Sequence, residues 1–488
     1  MTHDADSPLL RLARLLGPLG CLGLHVAGLG QATSAAWTMG GVLWWVALWW
    51  MTEAMPVGAT SLLPALLLPA FGVLDSATVA STYMDRFILL MMAGFMSSLA
   101  IERTGLHRRM ALFTLFYIGA SPRRLVLGLL IATAATSAWI ANTAATLIML
   151  PVGLALIDRL GGGEATPTRQ AFATSVCLAI AYGASIGGMA TPLGTPTNLI
   201  YLGAVERLTG QTPGFLAWVM DALPIVIGLV LAASFILGRR LQGRDGDHLG
   251  EARAVLAAER AALGPLRPEE RHVALIFGLM ILAWVTREAV LADGARIGWA
   301  PLLGLEKYVD DATVAVGGAL VLFACPARAL DGGRLLTWDA ARRIPWEVVL
   351  LFGGGLALAR GFGRSGLDAS AASLLSSLHG LPSVLVIAVV ALLVTFLTEV
   401  TSNTAVATLL MPILAAVGAA TGLPPETTML PAAISASCAF MLPVATPPNA
   451  VVYGMGHVTI AQMARAGLAL NLAGVVIITI WLWIRHGF

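Results

Sequence analysis

Charge is scarce in this chain of 488 residues, where Asp, Glu, Lys and Arg together make up only 11%. Soluble domains carry about a quarter, so the shortage excludes a water-facing surface of ordinary extent. Lysine is almost missing: Lys307 is the single one, the other 28 basic residues are arginine, and the net charge is only +2. The net charge by itself says little; the scarcity of charge beside the apolar excess is what excludes a nucleic-acid binder. The four cysteines (Cys21, Cys177, Cys325, Cys438) stand singly in apolar stretches, without disulfide or metal spacing, and read as small buried hydrophobes. Short runs of alternating polarity are absent too, which excludes a membrane β-barrel. The first residues, Met-Thr-His-Asp-Ala-Asp, lack the basic stretch and cleavage pattern of a signal peptide, so the first apolar run reads as a retained helix.

Apolar residues are plentiful instead, at 58% of the chain with a mean hydropathy of +0.83. One soluble core cannot hide that much apolar surface, and a bilayer is its natural solvent. Runs suited to single helical spans lie near 9–30, 36–51, 58–74, 85–104, 215–238, 272–292, 311–325, 346–364 and 464–486. Four stretches are not simple spans. Residues 124–160 and 382–416 are too long for one crossing and carry a polar cluster at mid-length; 170–203 and 428–453 are apolar runs broken by Gly, Thr, Pro and Asn. Inside lipid a broken helix survives only where protein or water satisfies the freed backbone. The segment 239–271, with seven Arg and six acids, reads as a polar linker with a surface helix. Alternating the loops across the membrane gathers 21 of the 29 basic residues on one side. This predicts a cytoplasmic N-terminus and a periplasmic C-terminus in a bacterial inner membrane.

Comparison of the chain with itself reveals a duplication. Arg103-Thr104-Gly105-Leu106 matches Arg364-Ser365-Gly366-Leu367, and Asn142-Thr143-Ala144 matches Asn403-Thr404-Ala405, both at an offset of 261. Thr195-Pro196-Thr197-Asn198 matches Thr446-Pro447-Pro448-Asn449 at an offset of 251. The chain therefore reads as two units, roughly 36–238 and 272–486, preceded by one extra helix. With five spans in each unit, the second enters the membrane from the opposite side. Inverted repeats with paired broken helices are the architecture of secondary transporters, with the binding site at the midplane. A channel and a membrane enzyme are the alternatives from other classes. The enzyme would need a nucleophile, metal cluster or acid–base pair at membrane depth, which these clusters do not offer.

The polar clusters are 137–143, 194–198, 398–404 and 445–449, and they contain no Lys, Arg or His. An anion held there meets only neutral donors: Asn amides, Thr hydroxyls and backbone N–H groups at half-helix starts. The same loops expose carbonyl and hydroxyl oxygens, hard ligands suited to a monovalent cation such as Na⁺. Binding anion and cation side by side avoids burying net charge and gives a physical route to coupling. Glu399, inside the third cluster, reads as a structural hydrogen-bonding group. His25 reads as structural, Trp139 as packing, and Arg287 with Glu288 as a pair near a helix end.

At these residues the chain resembles the divalent anion–sodium symporter family, bacterial carriers of dicarboxylates, citrate or sulfate. The resemblance runs from Trp49-Trp50-Met51-Thr52-Glu53-Ala54-Met55-Pro56 through Phe352-Gly353-Gly354-Gly355 to Thr401-Ser402-Asn403-Thr404-Ala405 and Met441–Ala450. It implies an all-α polytopic fold of two inverted five-helix repeats plus an N-terminal helix, with two opposed re-entrant hairpins (124–160, 382–416) and two broken helices. It further implies a homodimer and elevator-type movement of a transport part (124–238 and 382–488) against a scaffold part (1–123 and 272–381). Carried over by motif, the substrate would meet Asn142, Thr143, Thr195, Pro196, Asn403, Thr404, Thr446 and Pro447. One Na⁺ would sit by Ser137, Ala141, Asn142 and Gly194, the other by Thr398, Thr401, Ser402, Asn403 and Ala445. The expected activity is sodium-coupled symport of succinate, fumarate, malate or 2-oxoglutarate, without an organic cofactor. The family's first Ser-Asn-Thr motif reads Ala141-Asn142-Thr143 here. That departure leaves open sodium-independent exchange, and a citrate or sulfate carrier stays open as well.

Overall fold

A chain that must cross lipid can satisfy its backbone only within helices or closed barrels, and the computed structural model is helical almost throughout. It describes residues 8–118, 121–160, 167–210, 213–241, 249–290, 296–374 and 379–487. Among the described residues the only paired strands are Ala289–Val290 and Arg296–Ile297, a short antiparallel pair. Seven helices among them are long and apolar enough to span a membrane.

The single-span expectations correspond to helices Pro8–Gly28, Ser34–Thr52, Arg86–Thr104, Phe215–Gly238, Pro268–Arg287, Asp311–Ala324, Trp346–Arg364 and Ile460–His486. The run 58–74 is different: it forms two short helices, Val57–Thr60 and Leu63–Ala70, with Pro56 and Pro64 at their starts. Proline has no N–H to give, so each marks a helix start. A helix absent from the reading of the sequence, Leu106–Ile118, follows Gly105, whose φ of +82° turns the chain at the end of the preceding helix. Within the linker, residues 242–248 lie outside the described set, and helix Leu249–Ala262 supplies the expected surface helix. Cys21, Cys177 and Cys438 are buried, whereas Cys325 is only half-buried. His25 bonds Thr38 at 2.9 Å and tilts against Phe71.

All four irregular stretches are broken helices. Pro122–Ser137 breaks and resumes as Asn142–Leu160; Ser383–Leu397 resumes as Asn403–Thr421. Pro167–Gly188 resumes as Pro196–Thr209, and Pro425–Ser435 as Pro447–Gly454. These pieces interlock crosswise. Helix Pro196–Thr209 from the first half packs on Asn403–Thr421 and Pro425–Ser435, while Pro447–Gly454 packs on Asn142–Leu160 and Pro167–Gly188. The centre is densely packed: the apolar window of Arg169–Gly188 is 94% buried, against 17% for the peripheral Leu10–Gly28.

Close backbone crossings fix this centre. A Cβ on Gly183 would lie 2.8 Å from the carbonyl oxygen of Leu130, and one on Gly187 would collide with the backbone of Ala134. Helices 122–137 and 167–188 therefore touch main chain to main chain. Gly187→Ala should destabilise the protein by about 2 kcal/mol or more through overpacking. Gly278→Ala, on a helix face with open space beside it, should be neutral or slightly stabilising. Thermal unfolding of both variants in detergent checks the contrast; equal midpoints would refute the backbone-contact assignment.

Candidate functional site

The four breaks meet in one region, and the local geometry of the first half recurs in the second. Ser137 sits at the end of its half-helix, with its Oγ 2.7 Å from Asn142 Oδ1 and 2.7 Å from the Ala184 carbonyl oxygen. Thr398, its counterpart at an offset of 261, has its Oγ1 2.6 Å from Asn403 Oδ1 and 2.9 Å from the Ala436 carbonyl. Each cradle thus gathers three oxygens around one hydroxyl proton. A hydroxyl donates once, so one close oxygen pair in each cradle lacks a proton between its members. A small cation placed among such oxygens lowers their mutual repulsion.

The second pair of breaks is duplicated as closely. Asn198 Nδ2 donates to Gly188 O (2.9 Å) and Thr191 O (2.7 Å); Asn449 Nδ2 donates to Ala439 O (3.1 Å) and Leu442 O (3.0 Å). Gly194 N reaches Thr191 O at 3.2 Å, and Ala445 N reaches Leu442 O at 3.2 Å. Thr195 and Thr446 cap the resuming helices with φ/ψ of −144°/145° and −142°/147°. Pro196 and Pro447 follow them at the first helical position, where a missing N–H costs nothing. Each Asn spends both amide hydrogens on carbonyls freed by the break, which answers the backbone accounting that lipid imposes.

Ser137, Asn142 and Gly194 come together through Gly188: a Cβ on Gly188 would lie 2.5 Å from Asn142 Oδ1, and one on Gly194 would strike the Gly188 carbonyl. Ala141 is exposed, and its carbonyl accepts from Ala145 N at 3.0 Å. In the second half, Ser402 occupies the matching cap and accepts from Val406 N at 2.9 Å, while the hydroxyl of Thr401 turns back to Leu397 O. Asn142, Thr143, Asn403 and Thr404 are half-buried, accessible to a solute, whereas Thr195, Thr446 and Ala445 are buried. Thr404 is buttressed by Thr408, whose hydroxyl donates to the Thr404 carbonyl at 2.7 Å. Reading the sequence missed the Ala184 and Ala436 carbonyls, because every residue carries one and only tertiary contact selects two of them. Among the described residues no cluster of three or more His, Cys, Asp or Glu suited to a metal ion is present.

The halves differ at Glu399, which stands where the first half has Ala138. Glu399 is only 3% exposed. Its carboxylate accepts from the N–H groups of Phe440 (2.8 Å), Met441 (2.9 Å) and Leu442 (3.1 Å) and from Asn471 Nδ2 (2.7 Å). The expected structural role is thus visible: it caps the loop of the second broken helix. In the first half the link between the two breaks is made by Thr191 Oγ1, which donates to the Ala138 carbonyl at 2.6 Å. Trp139 stacks on Phe215 and meets Phe277 edge-on, as packing. Arg287 pairs with Glu288 (3.4 Å) and with Asp311 (2.8 Å). A charged cavity of about 910 Å³, bordered by Arg86, Glu206, Arg287, Asp310, Asp311 and Arg485, includes none of the cluster residues.

This arrangement of helices is that of a polytopic membrane transporter. It is similar to the MtrF structure of Neisseria gonorrhoeae, with a TM-score of 0.58 at 16% identity over 85% of each chain. It is also similar to the Alcanivorax borkumensis YdaH transporter, with a TM-score of 0.53 at 14% identity over 84% of this chain and 88% of that one. The sodium:sulfate symporter transmembrane region matches residues 27–486, and the chain belongs to that family of transporters. Relatives named sodium-dependent dicarboxylate transporter SdcS come from Staphylococcus saprophyticus, 38% identical over 441 residues, and Staphylococcus aureus, 40% identical over 440. Each alignment covers 89% of this chain and 83% of the relative.

Glu399→Gln should lower the unfolding temperature in detergent. A neutral amide offers one acceptor oxygen to four donors, and each buried N–H left unpaired costs about 1–3 kcal/mol. An unchanged midpoint would show that Glu399 does not hold the 440–442 loop.

Proposed function

We propose that this protein is a secondary active transporter that couples Na⁺ to the movement of small dicarboxylates such as succinate, fumarate, malate or 2-oxoglutarate. The observation that carries the reading is the pair of matching oxygen cradles, Ser137–Asn142–Ala184 and Thr398–Asn403–Ala436. Their oxygens are neutral and hard, the chemistry a monovalent cation requires. Beside them, Asn142, Thr143, Asn403 and Thr404 line the half-helix starts, with Thr195, Pro196, Thr446 and Pro447 at the adjoining breaks. A dicarboxylate there is held by amides, hydroxyls and backbone N–H groups, and two bound Na⁺ ions offset its charge. The two Staphylococcus relatives, named for sodium-dependent dicarboxylate transport, support the same substrate and ion. Gly194 closes the first cradle, while Thr401, Ser402 and Ala445 frame the second.

The crosswise packing of the two halves supports two inverted repeats. In that reading 124–238 and 382–488 move as an elevator against 1–123 and 272–381, within a homodimer, with the linker 239–271 and the N-terminus in the cytoplasm and the C-terminus in the periplasm. Elevator movement has a specific obstacle at one end of helix Pro196–Thr209. Arg207 pairs with Asp85 (2.9 Å) and Arg86 with Glu206 (3.0 Å), tying this helix to the start of Arg86–Thr104. Both pairs must open in each cycle. A second reading, sodium-independent exchange, is favoured by Ala141, which brings no hydroxyl to the first cradle.

Labelled succinate uptake into proteoliposomes tests the proposal. Concentrative uptake that requires an inward Na⁺ gradient is expected, and Asn403→Ala should abolish it while leaving folded protein, because that amide serves cradle and substrate together. Uptake confined to vesicles preloaded with succinate, indifferent to Na⁺, would replace symport by exchange and make Ala141→Ser the variant to restore coupling.

A further inference from the structure

The repeat explains the cradles, but one central contact lies outside the repeat. Thr197 Oγ1 and Ser437 Oγ are 3.2 Å apart and both are buried. Thr197 has Pro448 as its counterpart at the 251 offset, which has no hydroxyl, while Ser437, next to Ala436, corresponds to Ser185, next to Ala184, so it is the Thr197 side of the contact that the second half lacks. This pair therefore joins the first break to the second as an addition to the duplicated framework.

The covalent neighbours of the pair matter. Ser437 N–H and the Ala436 carbonyl belong to one peptide plane, and that carbonyl accepts from Thr398 in the second cradle. Holding Ser437 therefore orients the oxygen that the cradle uses. On the other side, Thr197 Oγ1 lies 3.4 Å from Asn198 Oδ1, and Asn198 Nδ2 straps the Gly188 carbonyl. Gly188 in turn abuts Asn142 of the first cradle. A continuous set of short contacts thus runs from one cradle to the other, and Thr197–Ser437 is the step that crosses between the halves.

We propose that Thr197 and Ser437 are a positioning pair that couples the two cation sites, so that filling one cradle orders the other. This rests on the sodium-coupled reading above. Neither side chain is a ligand; each acts through the peptide or side chain beside it. The plain alternative is that two buried hydroxyls pair only to satisfy each other. That would make their loss a matter of stability and leave ion cooperativity unchanged.

The test measures succinate uptake by reconstituted full-length protein against Na⁺ concentration. Thr197→Val keeps the side-chain shape without the hydroxyl, Ser437→Ala is a smaller change that leaves room, and Thr197→Ser restores the hydroxyl. Wild type should show a sigmoid Na⁺ curve. Either single variant should bring the Hill coefficient toward one and raise half-saturating Na⁺ about fivefold or more, with near-normal maximal uptake. Thr197→Ser should restore cooperativity, and the double variant should be no worse than either single one, as expected for partners in one contact. A sigmoid wild type with unchanged Hill coefficients in both variants, or additive losses in the double variant, would overturn the coupling role alone. Uptake by the wild type that ignores Na⁺ would overturn the symport reading, and the pair's role with it.

Discussion

An interrupted helix inside a bilayer is the condition on which the rest of this structure depends. Each interruption frees backbone N–H and carbonyl groups that the bilayer cannot satisfy, and each such group costs several kcal/mol where it is buried unpaired. Among the described residues the centre holds four interruptions, and the chain repairs them from within. Asn198 and Asn449 each tie down two carbonyls, Glu399 accepts three N–H groups, and Thr191 reaches the Ala138 carbonyl. What the repairs leave is uneven. Donors are largely consumed in holding the loops, while oxygens remain clustered around Ser137 and Thr398 with one proton for each three-atom set. A site poor in protons and rich in neutral oxygen is complementary to a small cation, and the half-helix starts beside it are complementary to an anion.

The two halves solve the same problem with different chemistry. The second half spends a buried carboxylate, Glu399, to hold the 440–442 loop, and draws Asn471 from the last helix into the network. The first half, with Ala138 at that register, uses one hydroxyl-to-carbonyl bond and backbone contact at Gly187 and Gly194. The cap residues differ in the same sense, Ala141 against Ser402. The first pair of breaks is consequently held by shape and the second by a charged network, so the two cradles are equivalent in geometry and unequal in surroundings.

Much of this was legible in the sequence, and the reasons are physical. Spans were readable because twenty apolar residues have few other uses. The breaks were readable because Pro, Gly, Thr and Asn in mid-membrane carry meaning that they lack in a soluble loop. Matching motifs at offsets of 261 and 251 showed the register before any coordinates did. Helix Leu106–Ile118 does not stand out in the sequence because its basic first turn, His107 to Arg109, masks its apolar remainder. The run 58–74 reads as one span because hydropathy does not register the proline that divides it.

The sequence alone therefore determined which residues fill the four clusters: Ser137, Asn142, Thr398 and Asn403, the Thr-Pro-x-Asn pairs, and the absence of Lys, Arg and His from every cluster. Those are properties of side-chain type and spacing, and folding does not alter them. Only the tertiary structure decided which partners they meet. The carbonyls of Ala184 and Ala436, the four donors around Glu399, and the Thr197–Ser437 contact across the centre all join residues distant in the chain. A backbone oxygen has no identity in a sequence; it acquires one when a helix breaks beside it and a hydroxyl from another helix comes within bonding distance.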